Sequence, residues 1–241
     1  GDLNSMPALT LANSPYWATD DIWFTSGAHT IEAGVTIVFS PNTGMEIGQA
    51  EVNFEGVEGS PIQLTFYNTE TGQWKGVYFN EDSDAGVAST MSYTTVENAG
   101  MGSRNTNLYC YNTNQPLIEN CTFRGATGNG VRLNEADLTM NNALLLSNSE
   151  NGLHLTSSDP ELNSVEMNLN SFAGIYYASV GLNPAFSSCT IESNTYGIYS
   201  PSPDNSFAPP APGIYTLIDN LNDIAINGGT ISSDRTWSYF E

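Results

Sequence analysis

The sequence predicts an all-β fold, a solenoid wound in short rungs, and three observations predict it. The first is a repeat. Four segments align: PLIENCTFRGATGNGVRL from Pro116, LTMNNALLLSNSENGLHL from Leu138, PELNSVEMNLNSFAGIYY from Pro160 and PAFSSCTIESNTYGIYS from Pro184. Their first apolar column is Ile118, Met140, Leu162 and Phe186, one rung apart each (140−118 = 22, 162−140 = 22, 186−162 = 24). Cys121, Ala143, Val165 and Cys189 form a second column, and Phe123, Leu145, Met167 and Ile191 a third. The second observation is a glycine column, Gly130, Gly152, Gly174 and Gly197, each glycine followed by an apolar residue. The third is that the period holds short alternating runs and no helical spacing, which is the signature of a stacked β repeat.

Elementary physics explains why such a chain must stack. One rung is too short to bury its own apolar face, so it packs on neighbours about 4.8 Å away through parallel strand pairing. Equivalent residues then lie over one another. Ala126, Asn148, Asn170 and Asn194 share one position, where side-chain amides can bond along the axis. The glycine column is expected to supply positive φ where the chain turns into its next strand.

Composition sets the bounds. The 241 residues are expected to form one domain: regular rungs over about 30–200, a proline-rich loop at 201–213 and a final rung or two at 214–241. Hydrophobic content of 39% with 12 Tyr, 10 Phe and 4 Trp suits a packed core and excludes a disordered chain. Five Lys+Arg against 26 Asp+Glu give a net charge of −21. Such a surface repels nucleic acid and anionic membranes and favours cations and a salty exterior. No run is long and apolar enough to span a bilayer. The N-terminus has no basic start or apolar signal core, so any export signal is expected to have been removed already. Cys121 and Cys189 stand three rungs apart in one column, roughly 14 Å, beyond disulfide reach.

In chain order, residues 1–30 are turn-rich, with Trp17, Ile22, Trp23 and Phe24 read as buried anchors. TIEAGVTIVF then points Ile31, Val35, Ile37 and Phe39 inward, and TGMEIGQAEVNFEG does the same with Met45, Ile47, Val52 and Phe54. GQWKGVYFN gives Gly76, Val77 and Phe79 the ending of the later rungs, and Leu108, Tyr109 and Tyr111 are read the same way with Leu108 in the glycine slot. The acidic run at 81–86 interrupts, and Met91 and Val96 restart the pattern. GMGSRNTN (100–107) reads as a loop, SPSPDNSFAPPAPG as a stiff proline loop, and Leu217, Ile224, Ile226 and Ile231 as the closing rungs.

These rungs, P-x-I-x-N-C-T-F with N-G-V-x-L, preceded by TIEAGVTIVF, SPIQLTF and GQWKGVYF, resemble the right-handed parallel β-helix repeats of bacterial secreted and cell-surface proteins in the pectate-lyase-like superfamily. The resemblance covers residues 30–200. It implies a single-stranded right-handed parallel β-helix and an extracellular location. That architecture carries lyases, hydrolases, tailspikes and adhesins alike, so chemistry must be read residue by residue. Lyases of this fold, the resemblance implies, use a basic residue beside a uronate carboxylate, commonly with calcium. The basic residues here, Lys75, Arg104, Arg124, Arg132 and Arg235, match no such motif, and the polygalacturonase pattern is absent.

The repeat itself marks a candidate face. The residue between the two inward positions after each glycine points outward. Successive rungs place Tyr78, Cys110, Arg132, His154, Tyr176 and Tyr199 there. Rings and a guanidinium one rung apart suit stacking on sugars and bonding to hydroxyls or uronates, so Tyr78, Arg132, His154, Tyr176 and Tyr199 are the candidate ligand-binding residues. The alternative is that outward aromatics are good sheet formers that cover one another. Asp137 and Asp159, one rung apart and near Arg132 and His154, are the candidate acid/base pair, and they are also common turn residues. Asp82, Asp84 and Gly86 spell D-x-D-x-G, a fragment of a calcium loop or a solvated acidic turn. No other cofactor is expected. Asn120-Cys121-Thr122 is formally a glycosylation acceptor, set aside because it lies in a packed rung.

The expected function is a non-catalytic extracellular structural or adhesive solenoid whose stripe touches polysaccharide. The alternative is a polysaccharide-active lyase or glycoside hydrolase, distinguished by an acid-lined cleft beside the stripe in place of a flat face. Neither end reads as an amphipathic cap. In the surface proteins the chain resembles, a segment similar to GGTISSDRTW precedes one similar to SPYWATDDIWF. The tail is therefore expected to join the head of a following copy, as one period of an array or a head-to-tail filament.

Overall fold

The computed structural model describes residues 8–67, 73–80, 88–179, 181–201 and 215–227. Strands from successive rungs line up in three all-parallel sheets of eight, nine and nine strands. The first sheet runs Ala8–Leu9, Gly27–Glu32, Ala50–Glu55, Thr90–Ser92, Leu117–Glu119, Thr139–Asn141, Glu161–Asn163 and Ala185–Ser187. In the second, Thr94–Glu97, Thr122–Arg124, Leu144–Leu146, Glu166–Asn168 and Cys189–Glu192 are central. The third holds Ile22–Phe24, Met45–Ile47, Val77–Phe79, Thr106–Tyr111, Asn129–Asn134, Leu153–Thr156, Ala173–Tyr177, Tyr196–Ser200 and Asn222–Ile226. The chain thus visits each sheet once per rung.

Alternation explains the core. In the first sheet the inward column reads Leu9, Ile31, Phe54, Met91, Ile118, Met140, Leu162 and Phe186, each paired with the next. In the second, Val96 pairs with Phe123, then Leu145, Met167, Ile191 and Leu217. Ile31, Val35, Ile37, Phe39, Met45, Ile47, Val52 and Phe54 are all buried, as their spacing predicts. Cys110, Cys121 and Cys189 are packed in this core and form no disulfide. Burial, opposed in part by backbone hydrogen bonds, pushes the Cys121 thiol up to about 12, which leaves it unreactive.

The polar device is the asparagine ladder. Asn148 Nδ2 donates to Asn170 Oδ1 (2.9 Å), Asn170 Nδ2 to Asn194 Oδ1 (3.0 Å) and Asn194 Nδ2 to Asn220 Oδ1 (3.0 Å). Each amide also donates to a backbone carbonyl of an earlier rung: Phe123, Leu145 and Met167 in turn. The ladder therefore extends one rung beyond the sequence expectation, to Asn220.

The corners differ from expectation. Positive φ belongs to other residues than the repeating glycines: Tyr93, Asn120, Asn142, Ser164 and Ser188 after the first sheet, Asn98, Ser147, Leu169 and Ser193 after the second, and Asn112, Glu135 and Ser157 after the third. Asn adopts this region most readily among residues with a Cβ, and it recurs at these turns. Gly130, Gly152 and Gly174 are glycines for space. A Cβ at Gly152 would sit 2.8 Å from the Gly174 carbonyl oxygen and 2.9 Å from Asn170 Nδ2.

Several other expectations are corrected. Trp17 and Trp23 are exposed; each is the middle residue of a three-residue strand, which faces outward, and only Phe24 of that set is fully buried. The strand read as following a loop at 100–107 starts at Thr106. Leu108 pairs with Val77 and Val131, so it is an inward residue and Asn107 fills the glycine slot. Asn107 has a reason to be there: its amide accepts from the Ala99 N–H (3.0 Å) and donates to Asn148 Oδ1 (3.3 Å). It completes the ladder in the one aligned rung that has Ala126 in place of Asn. The proline-rich run from 202, the acidic run 81–87 and Ile231 lie outside the described residues.

Candidate functional site

The outward column of the third sheet is continuous over nine rungs. Pairing runs Trp23 to Glu46, Tyr78, Tyr109, Arg132, His154, Tyr176, Tyr199 and Ala225. Cys110, expected here, is buried and pairs with Phe79; Tyr109 takes its place, because the register turns on Asn107. The column residues from Tyr78 to Tyr199 are half-buried, since each covers the next. Tyr78 stacks on Tyr109 at 5.2 Å, His154 on Tyr176 at 4.8 Å and Tyr176 on Tyr199 at 5.5 Å. The guanidinium of Arg104 lies 3.6 Å above Tyr78, and that of Arg132 lies 5.2 Å from the Tyr109 ring.

Two concavities open on this face. One, of about 360 Å³, is lined by Asp21, Trp23, Glu46, Lys75, Met101 and Arg104. Its charges are paired: Lys75 with Asp21 at 2.6 Å, Arg104 with Glu46 at 3.2 Å. The other, of about 510 Å³, is lined by Ser149, Glu150, Asn151, His154, Phe172 and Tyr176. Burial, with Arg132 one rung before it, holds the His154 imidazole down to about 4, so it is neutral at pH 7. From Glu46 to His154 is four rungs, roughly 19 Å along the axis. The face is thus not flat, and of the acids lining the two concavities Asp21 and Glu46 are ion-paired while Glu150 accepts only from the Asn105 amide.

The structure brings together all five candidate ligand-binding residues, Tyr78, Arg132, His154, Tyr176 and Tyr199, on one column. It gives Asp137 and Asp159 a different surrounding. Asn114 Oδ1 accepts from the Asp137 N–H (3.0 Å), Asp137 Oδ1 from the Asp159 N–H (2.6 Å), and Asp159 Oδ1 from the Asn183 N–H. They form a ladder of side chains holding the turn after the third sheet. Asp82 and Asp84 lie outside the described residues. Among the described residues no group of three or more His, Cys, Asp or Glu could hold a metal ion.

Sequence reasoning missed Trp23, Glu46, Tyr109 and the loop residue Arg104. For the first two the signal existed: Ile22-Trp23-Phe24 and Met45-Glu46-Ile47 have the same apolar, x, apolar form as Val77-Tyr78-Phe79. Arg104 carries no such signal, because it reaches Tyr78 across a rung.

A family model described as a right handed beta helix region matches residues 13–208. No curated protein and no solved structure matches the chain.

Proposed function

This chain belongs to the right-handed β-helix family, and from that premise we propose that it is a non-catalytic structural or adhesive solenoid of the secreted or cell-surface type. On this reading the third sheet presents its outward column to polysaccharide, and the solenoid stacks end to end with itself or neighbouring repeats. The observation that carries the proposal is the continuity of the column. Between Tyr78 and Tyr199 aromatic faces form two stacks, Tyr78–Tyr109 and His154–Tyr176–Tyr199, with the Arg132 rung between them, and two concavities beside them offer polar groups for orientation. A non-catalytic role is supported by the use made of the acids. Asp21 and Glu46 are held in ion pairs, and Asp137 and Asp159 each give an oxygen to a backbone amide.

A glycan array run beside reducing-end and unsaturated-product assays tests this. Binding without product is expected. New reducing ends or unsaturated product would establish the enzyme in its place, and silence at millimolar glycan would reduce the column to sheet surface. Light scattering at rising concentration tests stacking, where a strictly monomeric chain would refute it.

A further inference from the structure

We propose that the cavity beside His154 and Tyr176 binds a primary ammonium group, as carried by an amino sugar. The sugar as its source rests on the glycan reading above; the ammonium site itself stands on four observations.

The first is an orphan acceptor. Asn151 is only 4% exposed, and its Nδ2 donates to Asn129 Oδ1 at 2.7 Å, while its Oδ1 is buried with no hydrogen-bond partner. The two asparagines begin a second ladder, and it stops there because the next rung has Ala173 at the equivalent place. Asn151 lines the cavity, and a buried carbonyl oxygen left over in that residue calls for an N–H donor. The second is Glu150, an exposed carboxylate in the same lining, one oxygen of which accepts from Asn105 Nδ2 at 3.2 Å. The third is the pair of rings, Phe172 and Tyr176, at 6.1 Å and inclined by 50°, whose faces attract a cation. The fourth is the absence of a cation among the lining residues. His154 is neutral, and Arg132 leans the other way, over Tyr109 and toward the Ser103 carbonyl oxygen at 3.5 Å.

The ligand class follows by elimination. A uronate would meet Glu150 and the field of a chain of net charge −21. A neutral hydroxyl would satisfy Asn151 but leave the carboxylate and the rings without a charge to hold. A quaternary ammonium has no N–H for Asn151. A primary ammonium meets all three.

The test uses the full chain at about pH 6, where the amine is charged and His154 is not. Chitosan tetraose and cellotetraose are titrated by calorimetry, and methylammonium chloride is titrated while the His154 ring resonances are followed by NMR. We expect chitosan tetraose to bind at least about tenfold tighter than cellotetraose, a preference worth about 1.4 kcal/mol. Glu150→Gln should abolish that preference at unchanged Tm, while Glu166→Gln, which removes an exposed carboxylate on another sheet, should not. Equal binding of both tetraoses, or equal effects of the two substitutions, overturns the ammonium site and leaves the glycan face standing. A Glu150-dependent shift of His154 with methylammonium, with neither tetraose bound, sustains the site and overturns the sugar. No response to any probe overturns both.

Discussion

At the scale of single residues, the asparagines and His154 carry the most specific consequences. Asn170 accepts from the Asn148 backbone N–H (3.1 Å) and Nδ2 (2.9 Å), and donates to Leu145 O (3.1 Å) and Asn194 Oδ1 (3.0 Å). Asn170→Ala strands these buried groups, so we expect a loss of about 2–4 kcal/mol, read as a lower urea midpoint at unchanged slope. An unaltered midpoint would mean that water replaces the amide. His154 makes stability depend on acid. Its folded value of about 4 lies below the ordinary 6.5, so the unfolded chain takes the proton first and stability falls as pH drops from 6.5 toward 4. The full shift corresponds to about 3 kcal/mol, reduced to about 1–2 kcal/mol because one edge of the ring meets solvent. His154→Gln should therefore lose less Tm than the parent between about pH 7 and pH 4.5. Parallel losses in the two proteins would refute the assignment.

At the scale of the element, the third sheet joins stability to surface chemistry. Its outward rings shield one another, so Tyr176 is a packing residue as well as a candidate contact. Tyr176→Ala removes stacks on His154 (4.8 Å) and Tyr199 (5.5 Å) and a tilted contact with Phe172 (6.1 Å). We expect a cost of about 1–2 kcal/mol by thermal unfolding, where isolated exposed tyrosines would cost about nothing. Tyr176→Phe should retain nearly all of it, since stacking needs the ring alone. Equal losses from the two substitutions would place the effect in the hydroxyl. The element also shows how sequence and structure diverge. The inward columns were legible in the four aligned rungs because a period of two has only two phases, but in the rung of Asn107 the inward residues are Leu108 and Cys110, where the spacing puts Tyr109 and Tyr111. The outward column was legible except at Tyr109 and at its N-terminal rungs. One substituted slot, Asn107 for glycine, shifted the phase there by one residue.

At the scale of the molecule, charge is the dominant feature. Of the four cations among the described residues, Lys75, Arg104 and Arg124 are held by Asp21, Glu46 and Glu97. Most of the 26 acids are thus left to repel one another. Raising NaCl from about 0.01 M to about 0.5 M should raise Tm by several degrees, because the Debye length falls below the spacing of neighbouring surface charges. A Tm that fell with salt would show that the three ion pairs outweigh the general repulsion.

By itself the sequence determined the solenoid, its three apolar columns, the burial of Cys121 and Cys189 and most of the asparagine ladder. Each of these is a periodic property, and a repeat lays periodic residues on one line whatever the corners do. Only the tertiary structure decided the rest. It assigned positive φ to Asn and Ser at the corners and gave the glycines the task of clearing space for the next rung's carbonyl oxygen. It turned Asp137 and Asp159 into a turn-holding ladder. It placed Arg104 over Tyr78 and left Asn151 without an acceptor's partner beside Glu150. Arg104 and Tyr78 meet from different rungs with no common register, and the other outcomes turn on what a side chain touches at a shared position and on which side chain a neighbouring rung lacks. No spacing within one rung encodes them.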